Sequence, residues 1–333
     1  MSTKPLIAVV GADGFVGGGL AGALTAERVV YGPCRNGEVH ISQAEPLLRQ
    51  ADVIVNASGF RVRRGLTLDD YRRCHWGATS TFVPWIRPGA LLLHMSSAHV
   101  LGKCKDHLLG NHATPNPGTY PCMEYAVAKF ECDQALEKAA RERGFGVVFL
   151  RPTVLYARVG DASMIDNFCR LAKRGVVARL YPRDAHHHLC HMNILCEVAR
   201  RVVKQRAAIP NLTCLVVADP HTITSKQMEA MIRQHSRRKA LTVPVPAPLM
   251  STLLSRAPRF KDPKLDFRTW GEIFGVFHLD TIYDPSETFR LLGIDPTQFA
   301  VENTLLPFLQ RAFQTENVAG QAYSSTAGSG RAA

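Results

Sequence analysis

The chain has 333 residues, of which 46% are hydrophobic and 20% are charged, and its mean hydropathy is −0.05. This ordinary globular composition, in a length typical of about two domains, excludes a disordered, collagen-like or low-complexity chain. The longest apolar runs are strand-sized, below the roughly 18 residues that a membrane-spanning helix needs, so no transmembrane segment is predicted.

Cysteine and charge counts bear on compartment and partners. Nine cysteines without a CxxC pair favour buried thiols in a reducing cytoplasm, and the first residues lack a secretory apolar core.

The chain has 40 Lys and Arg against 28 Asp and Glu, which gives a net charge of +12. Because these charges are scattered and no aromatic residues interleave with them, no nucleic-acid partner is predicted. We expect a solvated basic surface, with attraction of a phosphate-bearing cofactor or substrate as the second interpretation.

The chain begins with a predicted strand and a glycine-rich turn. Residues 6–10 are apolar and partly β-branched, as expected of a parallel strand covered on both faces. A GxxGxxG motif follows directly and leads into a helical stretch at 20–24. Glycine suits such a turn because the backbone must bend tightly and approach a pyrophosphate at the N-terminus of the helix. The motif predicts a dinucleotide cofactor at Gly11, Gly14, Phe15, Val16 and Gly17.

A second strand is predicted at residues 28–31, and the residues after it would meet the adenosine ribose. An acidic residue there suits the 2′-hydroxyl of NAD, whereas an arginine suits the 2′-phosphate of NADP. No acidic residue lies between Arg28 and Arg35, so Arg35 favours NADP, with NAD as the alternative. An ordinary surface arginine is the competing interpretation.

The following segment is too short for the helix and strand that a regular dinucleotide-binding unit would add. Only residues 36–42 separate the second strand from a helical stretch at 43–50. We expect either that the third strand is missing or that residues 36–37 form a hairpin turn and 38–41 run back antiparallel. In both cases we expect the pocket for the adenine ring to differ from that of a regular dinucleotide-binding unit.

Later strand ends and one helix carry candidate chemistry. A strand at 90–95 delivers Ser97, whose hydroxyl could polarise a carbonyl group. Tyr125 and Lys129 share one face of a helix that runs to about residue 143. A phenol with a pKa near 10 is a poor base at neutral pH until a neighbouring ammonium stabilises the phenolate. Another predicted strand, at 51–59, ends in small residues where the chain would pass beneath a cofactor, at Asn56, Ala57 and Ser58.

These motifs, in this order, resemble an extended short-chain dehydrogenase/reductase, the superfamily that contains the NAD-dependent epimerase/dehydratase and 3β-hydroxysteroid dehydrogenase families. The similarity covers residues 4–200, with a weaker similarity over 283–296. It implies an α/β fold: a Rossmann-type doubly wound parallel sheet with a smaller C-terminal substrate lobe. The matching motifs are the glycine turn, Asn56-Ala57-Ser58-Gly59, Ser96-Ser97, the Tyr125/Lys129 pair and Leu150-Arg151-Pro152-Thr153-Val154-Leu155-Tyr156.

The resemblance also implies roles for individual residues. Tyr125 would be the catalytic acid/base, Lys129 would lower its pKa and hold the nicotinamide ribose, and Ser97 would polarise the substrate carbonyl. The implied function is an NAD(P)-dependent oxidoreductase that moves a hydride between nicotinamide and a carbonyl or hydroxyl carbon of a small molecule. The implied cofactor contacts are Gly11, Gly14, Phe15, Val16, Gly17, Arg35, Asn56, Ala57, Ser58, Tyr125, Lys129 and Pro152.

Two positions depart from the family pattern. His75 stands where the family usually has asparagine, although Thr79 is retained. Val154 stands where nucleotide-sugar enzymes commonly have an asparagine that contacts the pyrophosphate. The second departure favours an oxidoreductase over the alternative, a nucleotide-sugar epimerase or dehydratase. A non-catalytic NAD(P)-binding regulator is a further alternative, and the intact Ser97, Tyr125 and Lys129 argue against it.

Two polar clusters remain. His186-His187-His188 with His191 invites a metal site, but adjacent histidines point in different directions and no second ligand group has zinc spacing. We therefore predict no metal, and by the resemblance one of these histidines would touch substrate. The run from Arg61 to Arg64 follows a strand end where ligands bind, so it could hold an anionic group, with a solvated loop as the equal alternative.

The predicted organisation places the dinucleotide-binding domain at residues 1–180, with its last strand contributed by about 212–220. Residues 181–316 would form most of an interleaved substrate lobe, with helices near 225–234 and 249–254, and 317–333 a flexible tail. The expected partner is a small-molecule substrate, with no membrane partner. The sequence is compatible with a homodimer and does not determine the oligomeric state.

Overall fold

The fold was obtained as a computed structural model, which describes residues 4–35, 37–63, 65–103, 108–161, 163–236, 240–258 and 267–314. Within them the strands are β1 (Ile7–Val10), β2 (Glu27–Val30), β3 (Glu38–His40), β4 (Val53–Asn56), β5 (Leu91–Met95), β6 (Gly146–Pro152), β7 (Val154–Tyr156), β8 (Val176–Tyr181), β9 (His186–His187), β10 (Leu189–His191), β11 (Thr213–Val217), β12 (Ile223–Thr224) and β13 (Leu241–Pro246). The helices are α1 (Phe15–Leu24), α2 (Glu45–Gln50), α3 (Leu68–Arg72), α4 (Ala78–Ser80), α5 (Met123–Arg143), α6 (Met164–Lys173), α7 (Met192–Lys204), α8 (Ser225–His235), α9 (Ala247–Ser255), α10 (Phe267–His278), α11 (Ser286–Leu292) and α12 (Leu305–Gln314).

The central sheet has seven strands in the order β11-β6-β5-β4-β1-β2-β3, and every neighbouring pair is parallel. Successive residues of a strand face opposite sides of the sheet, and both sides are buried here. Val55 packs into the cluster that contains α1 and α7, whereas Ile54 packs into the cluster that contains α5. The predicted Rossmann-type doubly wound sheet is therefore confirmed.

The edge strand β3 corrects both expectations for the segment after Arg35. Residues 38–40 form a strand that pairs with β2 in parallel, with Arg28 opposite Glu38 and Val30 opposite His40. The third strand is therefore neither missing nor antiparallel. The connection of residues 31–37 is long enough without a helix because so short a strand requires a return of only about 10–13 Å, and seven extended residues reach roughly 23–25 Å.

The remaining strands form three small two-stranded sheets outside the central one. β7 pairs with β10 and β8 with β13 in parallel, and β9 pairs with β12 antiparallel. Helices α6, α8 and α12 pack together with this part around Tyr156 and Phe308. β11 lies at the edge of the central sheet beside β6. The domain division near residue 180 stays a proposal, and the predicted tail lies outside the described residues.

Across the described ranges, none of the helices combines the length and the apolar character needed to cross a bilayer.

Candidate active site

The glycine motif forms the turn between β1 and α1. Gly11 has a φ of +83°, a conformation that favours glycine, and a Cβ there would lie 2.9 Å from the carbonyl of Ala57. A Cβ on Gly17 would collide with the carbonyl oxygen of Gly11, so α1 packs directly on the turn. The helix begins after Gly14, which has no side chain to cap the first N–H groups. These N–H groups and the positive end of the helix suit a pyrophosphate.

Two other strand ends border this turn. Asn56 is buried, and its side chain donates to Thr79 Oγ1 over 2.8 Å and accepts from the backbone N–H of Ser58 over 3.1 Å. Only the backbone of Asn56 is thus available to a cofactor. Pro152 ends β6, and the next residue, Thr153, has a buried hydroxyl without a hydrogen-bond partner among the described residues. Thr153 belongs to the matching motif at 150–156 but was not predicted as a site residue, because its unpaired hydroxyl is visible only in the structure.

Tyr125, Lys129 and Ser97 come together at the carboxyl end of β5. Tyr125 lies in the first turn of α5, and Lys129 follows one turn later. The Lys129 ammonium donates to the carbonyl oxygen of Met95 over 2.8 Å. The Ser97 hydroxyl lies close to the Tyr125 phenol and accepts from the backbone N–H of His99 over 3.3 Å. All three predicted catalytic side chains are buried in one cluster.

Burial dominates the electrostatics of this cluster. It raises the pKa of Tyr125 above the ordinary value, because the phenolate loses hydration, and the neighbouring Ser97 hydroxyl acts in the opposite direction. Burial also lowers the pKa of Lys129, opposed by the nearby Cys132 and Asp133. The expected lowering of the pKa of Tyr125 by Lys129 stays a prediction.

Three rings lie around the phenol of Tyr125, and a fourth stacks on one of them. His75 and Tyr71 each lie 5.6 Å from it between ring centroids, nearly perpendicular to it, and they stack on one another at 6.0 Å. His99 lies 6.0 Å from Tyr125 and stacks on Tyr120 at 4.2 Å. Burial lowers the pKa of His99 to about 4, so its ring is neutral near pH 7. His99 was missed from the sequence, although it stands two residues after Ser97.

His75 occupies a π-helical turn, Arg73–Gly77, between α3 and α4. Such turns often occur at functional sites. Its ring lies against Gly59, which has a φ of +110° and where a Cβ would collide with the Nδ1 atom of His75. Neither ring nitrogen has a hydrogen-bond partner among the described residues, and burial followed by the charge of Lys129 lowers its pKa. His75 is therefore a neutral, buried group beside the phenol.

A buried polar network anchors α5 beneath the candidate catalytic side chains. Asp133 accepts from the Ser96 hydroxyl over 2.6 Å and lies 3.7 Å from the Arg151 guanidinium and 3.6 Å from His94 Nε2. Burial raises the pKa of Asp133 to about 6, with Arg151 acting in the opposite direction. The network ties α5 to β5 and β6, and so positions Tyr125 and Lys129 relative to the strand ends.

The corner after β2, where the adenosine ribose was predicted, contains carboxylates that were not among the predicted site residues. Arg35 is exposed, and its backbone N–H donates to Glu38 over 2.9 Å. Glu38 also accepts from Arg28 Nε over 3.1 Å. Asp13 accepts from the backbone N–H of Gly32 over 3.2 Å. The parallel pairing of β3 brings Glu38 to this corner, which no local pattern indicated.

A loop after β4 lies beside the candidate site. Val62 packs against the cluster that contains Tyr125 and also against the cluster that contains Tyr120. Arg61 donates to the carbonyl oxygen of Asp161 over 3.1 Å, which joins this loop to the loop after β7. The last residue of the predicted basic run, Arg64, lies outside the described residues.

The histidine segment forms β9 and β10. His187 is hydrogen-bonded to Ser225 over 2.9 Å, and His188 to the backbone carbonyl of Asp219 over 2.6 Å. His191 caps the N-terminus of α7 through its Nδ1 atom. Within the described part of the chain no group of three or more His, Cys, Asp or Glu side chains is arranged to hold a metal ion. These histidines have structural partners, and the expected substrate contact stays a prediction.

Comparison with known proteins shows the family of this chain. Residues 7–217 match the model of the NAD dependent epimerase/dehydratase family, and no curated protein matches the chain. Among solved structures, UDP-glucuronic acid 4-epimerase from Bacillus cereus, in complex with UDP-glucuronic acid and NAD, is 15% identical with a TM-score of 0.70, over 93% of this chain and 99% of that one.

Two further structures are equally distant in sequence. RMD from Pseudomonas aeruginosa, complexed with NADPH, is 13% identical with a TM-score of 0.67, over 93% of this chain and 100% of that one. UDP-glucose 4-epimerase from Thermotoga maritima, with UDP-glucose, is 14% identical with a TM-score of 0.66, over 93% of this chain and 99% of that one. At identities of 13–15% these structures show the fold alone. The match to the family model shows that the chain is a member of the family. The chain belongs to the NAD-dependent epimerase/dehydratase family.

Proposed function

We propose that the protein is an NAD(P)-dependent oxidoreductase that transfers a hydride between nicotinamide and a carbonyl or hydroxyl carbon of a small molecule. One observation carries the proposal: Tyr125, one helical turn from Lys129 on α5, lies close to Ser97, and all three side chains are buried at the carboxyl end of the sheet. Ligands bind at this end of open α/β sheets.

The residues around this end fit a nicotinamide cofactor. The tight turn at Gly11 and Gly17 opens the N-terminus of α1 for phosphate, and the unpaired hydroxyl of Thr153 offers a polar contact at the end of β6. When bound, the cofactor supplies the hydride donor or acceptor. The chain's own contribution is binding, orientation and proton transfer.

In the proposed mechanism Tyr125 gives or takes the proton on the substrate oxygen. The Ser97 hydroxyl donates to the same oxygen and holds it beside the phenol. Lys129 supplies the positive charge that makes a phenolate accessible in a buried site, since burial alone raises the pKa of Tyr125. Val62 and the rings of His75, His99, Tyr71 and Tyr120 keep water from the phenol.

A nucleotide-sugar epimerase is the second candidate, because two of the similar structures contain UDP-sugars. The same three residues could serve it, with the hydride leaving and returning in one turnover. Val154 supports the oxidoreductase, since it offers no polar group to a sugar-nucleotide pyrophosphate. Net oxidation of NADPH in the presence of a ketone would support the oxidoreductase, whereas interconversion of UDP-sugars without net cofactor change would support the epimerase.

The substitution Tyr125→Phe tests the catalytic assignment. We expect the rate with a responsive ketone to fall by roughly 10²-fold or more, because general acid/base catalysis is lost. The NADPH dissociation constant and the melting temperature should stay near the wild-type values. Tyr156→Phe is the matched control: it removes the 3.0 Å hydrogen bond to Asp219 and should lower stability but leave the rate. An unchanged rate in Tyr125→Phe would contradict the assignment.

Binding of NADPH without turnover of any substrate class would instead support the third alternative, a non-catalytic NAD(P)-binding regulator.

We further propose NADP as the cofactor, with Arg35 as the ligand of its 2′-phosphate. Arg35→Ala should then weaken NADPH binding by about 10- to 100-fold, the range for a charge-assisted hydrogen bond, and leave NADH binding nearly unchanged. Glu38→Gln should act in the opposite direction, because it removes a carboxylate from the same corner. Fluorescence titrations with both cofactors measure these effects. Equal losses for NADPH and NADH in Arg35→Ala would exclude the phosphate contact.

A further inference from the structure

Two of the rings beside the Tyr125 phenol carry buried nitrogen atoms without a hydrogen-bond partner. They are both ring nitrogens of His75 and the Nδ1 atom of His99, and the statement covers the part of the chain that the structure describes. A buried polar atom without a partner costs about 1–3 kcal/mol. Such atoms are rare in native proteins and require an explanation. Beside a candidate active site, a bound ligand can supply the missing partner.

The two histidines differ in how a ligand could reach them. Only 1% of His75 is exposed, and its ring is enclosed between the stacked ring of Tyr71 and the backbone of Gly59. His99 is half-buried, so part of its ring remains accessible although its Nδ1 atom is covered. Of the two, His99 is therefore the histidine that a small molecule can contact.

The position of His99 is fixed from two directions. Its backbone N–H donates to the Ser97 hydroxyl over 3.3 Å, and its ring stacks on Tyr120 with 4.2 Å between the ring centroids. The same ring lies 6.0 Å from the ring of Tyr125. In the proposed reaction the substrate oxygen lies beside the Ser97 hydroxyl and the Tyr125 phenol. A substrate held there has His99 next to the neighbour of its reacting carbon.

The chemistry of the imidazole indicates which substrate group it can bind. Burial lowers the pKa of His99 to about 4, so the ring is uncharged near pH 7. A neutral imidazole nitrogen accepts a hydrogen bond from a hydroxyl or, in the other tautomer, donates one to an oxygen. It offers no positive charge to a carboxylate or a phosphate. The group that suits His99 is therefore an uncharged oxygen.

We propose that His99 selects the substrate, because its Nδ1 atom hydrogen-bonds to an uncharged oxygen on the carbon next to the reacting carbonyl. The substrate class is then an α-hydroxyketone, or the corresponding diol in the reverse direction. The hydroxyl that His99 binds is not changed in the reaction. A site with such a contact discriminates against the analogue without the hydroxyl, since that analogue leaves the nitrogen unpaired. This inference rests on the proposed function, which places the reacting oxygen at Ser97 and Tyr125.

Two ketones that differ by one hydroxyl test the proposal: acetophenone and α-hydroxyacetophenone, each with NADPH. The wild type should favour the hydroxylated ketone by at least about tenfold in kcat/KM. His99→Phe keeps a ring on Tyr120 but has no ring nitrogen, so this preference should fall by roughly fivefold or more. His99→Asn, whose amide can take the place of Nδ1, should restore most of it.

His75→Phe is the matched control. It removes two unpaired nitrogens from a ring that lies 5.6 Å from the same phenol, and it should leave the preference between the two ketones unchanged. An unchanged preference in His99→Phe, or a preference lost in His75→Phe and kept in His99→Phe, would overturn the proposal.

A binding measurement separates this proposal from the proposed function. The dissociation constants of both ketones are measured for the NADPH complex of Tyr125→Phe by quenching of NADPH fluorescence, with and without His99→Phe. Tighter binding of the hydroxylated ketone that His99→Phe abolishes supports the role of His99, also where the wild type reduces neither ketone. That absence of reduction would contradict only the proposed function. Equal binding of the two ketones by the protein that retains His99 would overturn the present proposal and does not depend on the folding of a His99 variant.

Discussion

At the residue scale, the candidate site combines groups with familiar roles and one that local sequence could not explain. Tyr125, Lys129 and Ser97 meet as their spacing indicated, because a helix face and a strand end determine their positions. His75 replaces an expected asparagine, and its two ring nitrogens have no hydrogen-bond partner among the described residues. A buried polar group without a partner destabilises a fold by about 1–3 kcal/mol. His75 therefore lowers the stability of the site that it lines.

Replacement of His75 by an apolar residue tests this conclusion. We expect His75→Leu to keep or raise the melting temperature, because the unpaired nitrogens are removed while the contact with Tyr71 is retained. His94→Leu is the matched control, since His94 is equally buried but its Nδ1 atom is 3.0 Å from Asn56 Nδ2, and the loss of that partner should lower the melting temperature. Thermal denaturation of both variants measures the difference. A large loss of stability in His75→Leu would show that the nitrogens have partners in solution.

At the element scale, α1 shows how one helix contains glycines with different functions. Gly17 is where α1 meets the glycine turn, and no side chain fits there. Gly22, on the same helix, has open space around the position of a Cβ. The GxxGxxG spacing identified the turn correctly, whereas β3 was misjudged, because a three-residue edge strand is specified by its neighbour β2 more than by its own residues.

The two glycines should respond oppositely to alanine. Gly17→Ala should lower stability and abolish measurable cofactor binding, because α1 must move away from the turn. Gly22→Ala should stabilise the protein by about 0.5–1 kcal/mol, since alanine restricts the unfolded chain in a helix interior. Urea denaturation and NADPH titration of each variant provide the measurements. Equal effects at the two positions would contradict the close packing of α1 on the turn.

At the scale of the whole molecule, buried neutral histidines link stability to pH. Burial lowers the pKa values of His99, His187, His188 and His191 to about 4 from an ordinary value of 6.5. The unfolded chain binds these protons as the pH falls below 6.5, but the folded protein does so only near pH 4. Their stabilising contribution is therefore complete above pH 6.5 and is lost as the pH falls to about 4. Asp133 and Asp219 have pKa values raised to about 6, so they add stability as the pH falls from about 6 to 4. These two carboxyls offset only part of the loss from the four histidines.

We therefore expect the free energy of unfolding to fall as the pH is lowered from 7 to 5. Replacement of one buried histidine, His187→Gln, should reduce this slope by a contribution on the order of 3 kcal/mol over the full range, because burial lowers the pKa of His187 from 6.5 to about 4. The neighbouring His186 is exposed, so His186→Gln should leave the slope unchanged. Denaturation at a series of pH values compares the two. A slope that is the same in both variants would show that His187 is accessible to protons in the folded state.

The sequence by itself determined the fold class, the glycine turn and the Tyr125, Lys129 and Ser97 cluster. These depend on short apolar runs in parallel strands, the tight turn before a helix, the 3.6-residue period and the order of the motifs that carry the resemblance. Only the tertiary structure decided what lies around them. The rings of His75 and His99 meet Tyr125 from separate segments of the chain, and the parallel pairing of β3 with β2 places Glu38 against Arg28. Contacts of that kind depend on how elements pack, and no spacing within one segment records them.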